Sequence, residues 1–234
     1  MTGSPSPDGT ADGELDAAVA GLEQPTRAWF DRPPLDAAHG LLGAILVSRS
    51  PEGVVALRVT ETEAYHGSQD PGSHAYRGRS ARNEVMFREG GHLYVYRHLG
   101  LHTCMNLVTG QAGEASAVLL RAGEVVVGQD LAHTRRTAAG VVRTPVQLAS
   151  GPARLTVALA VTMDDAGADL LDPASRLRLF VPGVPVQTYA SGPRVGVGGA
   201  GAGPGFDWRR WLPGDPTVST FRPGVTRRRG NQAD

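Results

Sequence analysis

The run Ala44-Ile-Leu-Val-Ser-Arg49, Pro51-Glu-Gly53, Val54-Val-Ala-Leu-Arg-Val-Thr-Glu-Thr-Glu63 decides the fold class. Two apolar, β-branched stretches flank a Pro-Glu-Gly turn, which is the pattern of an antiparallel hairpin. Immediately upstream, residues 35–42 carry helical spacing. Downstream, Leu93-Tyr-Val-Tyr96, Thr103-Cys-Met-Asn-Leu-Val108 and Ala117-Val-Leu-Leu-Arg121 read as further strands. Residues 131–136 and 153–161 read as helices, and 177–181, 184–189 and 194–197 as short late strands. Strands dominate and helices lie at the edges. The expectation is one α+β domain with a curved, mostly antiparallel mixed sheet, barrel-like, and peripheral helices. No internal repeat or mid-chain linker interrupts it. Residues 1–24 read as a flexible acidic segment, disordered to about residue 13 with a short helix over 14–23. The folded domain occupies 25–222, and 223–234 form a basic tail with Arg227, Arg228 and Arg229.

Composition narrows the chemistry. The 234 residues carry 23 basic and 23 acidic side chains, and every basic one is Arg. Without Lys there is no Walker A phosphate loop, no pyridoxal Schiff base and no lysine nucleophile. The single Cys104 excludes an internal disulfide, a Cys-x-x-Cys pair and a multi-Cys zinc site, and reads as a small buried hydrophobe. The sequence shows neither an 18-residue apolar run nor a signal-peptide pattern, so it reads as soluble and intracellular. Charge is uneven: residues 1–36 hold seven acids against two bases, which leaves 16 acids and 21 bases for 37–234. Arg77, Arg79, Arg82, Arg88 and Arg97 fall within 21 residues. Such a cluster suits phosphates, or is simply a solvated loop.

Two motifs lack the context they need. Gly196-Val-Gly-Gly-Ala-Gly201 matches G-x-G-x-x-G, but no helix, second strand and acid come after it as a dinucleotide site requires. His98 and His102 have metal-ligand spacing, with His66, His74, His92 and Asp70 nearby, yet they fall on strands around a turn and no HExxH accompanies them. A metal-dependent hydrolase would have to use this cluster. Residues 66–92 form a loop too long to be a mere connection. Just before it, Glu61 and Glu63 end an apolar strand. If Val59 points into the core, strand periodicity points both carboxylates the same way. That is costly unless they are ion-paired or face a cleft, where one serves as a general base. Tyr65, His74, Tyr76, Tyr94 and Tyr96 then supply either core or a stacking platform for a base.

These residues, in this order, resemble the alkyladenine (3-methyladenine) DNA glycosylases. The resemblance runs from Val59-Thr-Glu-Thr-Glu-Ala-Tyr-His through Arg82-Asn83, Gly91-His-Leu-Tyr-Val-Tyr96, Gly100-Leu-His-Thr-Cys-Met-Asn106 and Val118-Leu-Leu-Arg-Ala122 to Gly192-Pro-Arg-Val-Gly196 and Trp208 to Pro216, covering residues 27–222. It implies a monofunctional base-excision enzyme that flips alkylated or deaminated purines from double-stranded DNA and leaves an abasic site. By resemblance, Glu63 is the general base, Arg121 and the Val195 carbonyl hold the attacking water, Tyr65 and His74 stack on one face of the base and Tyr96 on the other, and Asn106 sits at the pocket floor, disfavouring guanine. Arg77, Arg79 and Arg82 become the phosphate contacts. No metal or organic cofactor and no membrane is implied; the protein is expected to be a cytoplasmic, nucleoid-associated monomer. Where the family often carries an aromatic wedge, this sequence has Leu99, with His98 beside it. Leu intercalates elsewhere but fills less of the gap. The smaller wedge is also compatible with a non-catalytic lesion binder on the same fold.

Overall fold

The structure, a computed structural model, describes residues 7–224. The expected basic tail, apart from its first two residues, lies outside that range. The elements are α1 (Pro7–Val19), β1 (Leu22–Glu23), α2 (Arg27–Phe30), α3 (Pro34–Gly40), β2 (Ile45–Ser50), β3 (Gly53–His66), β4 (Leu93–His98), β5 (His102–Val108), β6 (Ser116–Val127), α4 (Gln129–Ala138), α5 (Pro152–Ala158), β7 (Leu177–Pro182), β8 (Ala190–Gly192) and β9 (Arg209–Trp211). The hairpin at 44–63 is present as β2 and β3 in antiparallel register. The sheet runs β1-β7-β2-β3-β6-β5-β4, with β9 pairing β3 and β8, all antiparallel.

Four expectations need correction. The sheet does not close into a barrel: β1 has two residues, and the outer edge of β4 meets the irregular segment around Ala168, which accepts from the Leu93 N–H. Residues 184–189 are irregular, as Pro182 and Pro185 remove ladder donors. Residues 194–197 are a turn region, with the strand shifted to β8. The N-terminal helix begins at Pro7 and ends at Val19, and Leu22–Glu23 pairs with β7 instead of continuing it. Leu15 of α1 is buried with Ile45, Val47, Ala56 and Val127 on the outer face of the sheet.

The main core lies on the other face, where α3 (Ala37, Ala38), α4 (Ala132) and α5 (Leu155, Ala158) cover Leu46, Leu57, Val59 and Leu120. Each such leucine, fully buried, contributes roughly 1.5–3 kcal/mol. Two β-bulges then decide where the site lies. On β3, Val59 opposes Gly123 and Glu61 opposes Ala122, so Thr60 is the extra residue. On β6, Ala122 opposes Glu61 and Leu120 opposes Thr62, so Arg121 is extra. An extra residue turns the rest of its strand to the opposite face. Val59 is a core residue, and so is Ala64, while the Thr62 hydroxyl donates to the Ala38 carbonyl of α3 (2.9 Å). Glu61, Glu63 and Tyr65 therefore share a face, but the face opposite Val59. The simple period of two across 59–63 is broken at Thr60.

Candidate active site

At Glu61 to Glu63, β3 lies between β6 and β9 and is hydrogen-bonded on both sides. Both carboxylates are fully buried and each has its own partners. Glu61 accepts from Arg209 Nε (2.5 Å), the Ser219 amide (2.7 Å) and the Ser219 hydroxyl (2.9 Å). Glu63 accepts from the Val195 amide on Oε1 (2.7 Å) and from the Tyr65 hydroxyl on Oε2 (2.9 Å). Arg121 Nε lies between them, 3.3 Å from Glu61 and 3.4 Å from Glu63. Glu61 is thus saturated by structural partners. Glu63 is held by three groups, Tyr65, Arg121 and Val195, and all three line one large cavity. Burial pushes the Glu63 carboxyl up from its ordinary value of 4.5. Arg121, the Val195 amide and the Tyr65 hydroxyl pull it down by less, and the neighbouring Glu61 adds to the rise. Burial likewise raises Tyr65 and Tyr96, so both stay protonated and Tyr65 remains a donor.

The cavity measures about 1240 Å³. Tyr65, His74, Tyr96 and Asn106 line it, and so does His98. Asn106 is buried and donates to the Tyr94 carbonyl (3.3 Å). The aromatic arrangement differs from a preformed slot: His74 and Tyr96 touch edge to face at 4.5 Å, and Tyr94 stacks on Tyr96 at 5.5 Å. Desolvation, then the Arg82 guanidinium and the neighbouring His98, hold the His74 pKa down. The long loop is tied by buried Asn83, whose amide nitrogen donates to the His74 and Gly78 carbonyls (3.1 and 3.0 Å). Arg77, Arg79 and Arg82 lie on its exposed surface, and Arg79 pairs with Glu84 (3.2 Å). Leu99 stands at the tip of the β4–β5 hairpin, 80% exposed, with Leu101 beside it at 77%. Leu99 has φ 51° and is followed by Gly100 at φ 72°, a left-handed pair in which leucine is strained. Among the described residues no group of three or more His, Cys, Asp or Glu is placed to hold a metal ion.

One site residue escaped the sequence reading. Arg194 is fully buried and binds Asp70 through both terminal nitrogens (2.6 Å each). It also donates to the Ala64 and Gly201 carbonyls (2.8 and 3.1 Å) and stacks its guanidinium over Tyr65 at 4.5 Å. It thereby fixes the chain whose next amide, Val195, holds Glu63. Room for it depends on two glycines. A Cβ at Gly72 would stand 2.7 Å from the Arg194 guanidinium, and one at Gly201 2.6 Å from the Gly72 nitrogen. Of the glycines in the 196–201 motif, Gly201 thus serves close packing, while Gly196 and Gly199 take left-handed φ values of 75° and 63°, and among the described residues no helix of cofactor-binding length comes after them.

The described residues thus form an antiparallel-sheet domain with two buried carboxylates beside an aromatic-lined cavity. The sequence comparisons give the family: residues 28–216 match the methylpurine-DNA glycosylase family, and the chain belongs to it. A protein of Streptomyces avermitilis named as a candidate 3-methyladenine DNA glycosylase is 52% identical over 206 residues, covering 87% of this chain and 94% of its own. A similarly named protein of Leifsonia xyli subsp. xyli is 52% identical over 203 residues, covering 86% and 94%, and one of Nocardia farcinica 48% over 195, covering 81% and 87%. The chain is therefore a DNA glycosylase, an N-glycosyl hydrolase acting on DNA. None of the helices among the described residues is long and apolar enough to cross a membrane.

Proposed function

We propose that this glycosylase flips an alkylated or deaminated purine out of duplex DNA and hydrolyses its N-glycosidic bond with water activated by Glu63. The observation that carries this reading is that the buried Glu63 carboxylate meets Arg121, the Val195 amide and Tyr65, all three of which line the aromatic cavity. Water adds its oxygen to C1′, its proton passes to Glu63, and the base departs with the bonding electrons. The carboxylate also stabilises the positive charge that develops on the sugar. Flipping costs a few kcal/mol, and stacking returns roughly 1–3 kcal/mol per base. Stacked planes on both sides of a purine put the flanking rings about 7 Å apart, so His74 swings away from Tyr96 to admit it. Asn106, buried at the cavity wall, disfavours the exocyclic amine of guanine. Leu99, strained and exposed on a hairpin tip, is the wedge that enters the stack, with His98 at its base.

Base release from a panel of duplexes, each with one lesion, tests the proposal. The expected products are the free base and an abasic strand that stays intact until alkali or heat is applied. Because the chain has no Lys and guanidinium stays protonated, borohydride added during turnover is expected to trap no protein–DNA adduct. Binding of lesions with no release would identify a lesion-binding protein instead, and efficient trapping would overturn the water mechanism.

A pH dependence arises from the raised Glu63 carboxyl. With an N-alkylated purine, already cationic and needing no proton to leave, only the base must be in the right state. Activity is present above the Glu63 pKa and is lost as pH falls through it. The acid limb of kcat/KM is expected to lie above the ordinary 4.5. A limb at or below that value would remove Glu63 from the role.

A further inference from the structure

Among the described residues Arg136 is a largely buried arginine with no hydrogen-bond or ion-pair partner for its side chain, its Nε fully buried and its terminal nitrogens open to the cavity. It sits in the last turn of α4, is 7% exposed, and its Nε has nothing to donate to. Its neighbour Arg135 shows how such a residue is ordinarily satisfied, by the Ala158 carbonyl (3.1 Å), the Ser50 hydroxyl (2.6 Å) and Glu52 (3.2 Å). An uncompensated buried charge is costly. A second cation makes it costlier: burial and then Arg154 of α5 hold the Arg136 pKa down. Arg154 itself reaches only the Ser150 carbonyl and hydroxyl (3.4 and 3.1 Å).

Both arginines line the cavity that reaches Tyr65 and Arg121. At about 1240 Å³ that cavity exceeds the roughly 300–1,000 Å³ of a small-molecule pocket, so it has room beyond one base. α5 holds its position beside β5 because the Thr156 hydroxyl donates to the Thr103 carbonyl (2.9 Å), on the arm of the hairpin that carries Leu99. We propose that Arg136, assisted by Arg154, is a binding site for a backbone phosphodiester of the DNA strand, the anion supplying the partner that the fold withholds. Planar guanidinium suits bidentate phosphate contact. This site rests on the glycosylase reading for its ligand but not for its chemistry. It is separate from the surface arginines of the 66–92 loop.

The test is the salt dependence of binding to a duplex carrying one uncleavable abasic-site analogue. Each neutralised phosphate contributes about 0.9 to the slope of log K against log salt. Arg136→Gln is expected to lower the slope by about that amount, and Arg136→Lys to keep it with weaker binding. Arg154→Gln, at an exposed position where folding is not at stake, is expected to lower the slope in the same direction. A scan of single neutral methylphosphonate linkages is expected to find one whose replacement weakens the wild type and leaves Arg136→Gln unchanged. That separates a strand phosphate from free phosphate in the buffer. Arg136→Gln and Arg154→Gln proteins that are folded, by thermal unfolding, and keep the wild-type slope would overturn the site. Failure of the glycosylase reading looks different: the wild type binds the duplex and shows these slopes, but lesion duplexes release no base.

Discussion

Glu63→Gln is expected to bind a lesion duplex with near wild-type affinity while its single-turnover rate of base release falls about 10²–10⁴-fold. Gln keeps the shape and can still accept from the Val195 amide or the Tyr65 hydroxyl. It cannot take a proton from water. Glu61 is the internal control. Besides the Arg121 it shares with Glu63, its partners are Arg209 and two groups of Ser219, none of which lines the cavity. Glu61→Gln is therefore expected to lower thermal stability and to cost less in chemistry at a temperature where it is folded. Equal rates of release from the Glu63→Gln and wild-type proteins would refute the assignment of the base.

Arg194→Met is expected to be the most destabilising single change near the site. It strands Asp70, fully buried, as a carboxylate whose cation has gone. Removing one partner of a buried pair costs about 3–5 kcal/mol. For a domain of this size that is a fall of roughly 6–20 °C in Tm, read by calorimetry. Asp70→Asn reverses the roles, and the double variant should lose less than the two single losses added, as a coupled pair does. Base release should also slow in folded Arg194→Met, because the Val195 amide that holds Glu63 is the next one along the chain. A loss under about 1 kcal/mol, or single losses that simply add, would mean the pair is not coupled.

The hairpin of β2 and β3 was legible because its turn and its two apolar runs are adjacent in the chain, and β4 to β6 were legible for the same reason. The roles of Glu63, Arg121 and the Val195 carbonyl came from resemblance; in the structure Glu63 lies 3.4 Å from Arg121, and at Val195 it meets the amide and not the carbonyl. The face they occupy was not legible. Nothing in Val59-Thr-Glu-Thr-Glu63 marks Thr60 as the bulged residue; its hydroxyl meets Thr217 at 2.7 Å, a partner 157 residues away. Arg194 was hidden for the same reason, since its satisfaction depends on Asp70 and on glycines remote in sequence. Residues 184–189 looked like a strand by composition, but Pro185 and the tertiary frame overrode propensity. Arginine density drew attention to 77–82, whereas the unpartnered guanidinium lies on a helix whose sequence, Gln-Asp-Leu-Ala-His-Thr-Arg-Arg, gives no sign of which of its two arginines is satisfied.

The distance in sequence between the two carboxylates and their partners has a consequence for synthesis. Glu63 waits for Val195, 132 residues later, and Glu61 for Arg209 and Ser219, 148 and 158 residues later. At about 5–20 residues per second on the ribosome, those two side chains exist for roughly 7–30 s before the groups that neutralise and orient them have been made. The growing chain can close the β2–β3–β6 ladder in that interval, but it must leave the β9 side of β3 open and wet. Glu61 and Glu63 therefore gain their full set of partners only when the segment from Arg194 to Ser219 docks. A ribosome stalled before it would display a largely formed sheet whose two buried carboxylates still lack these partners.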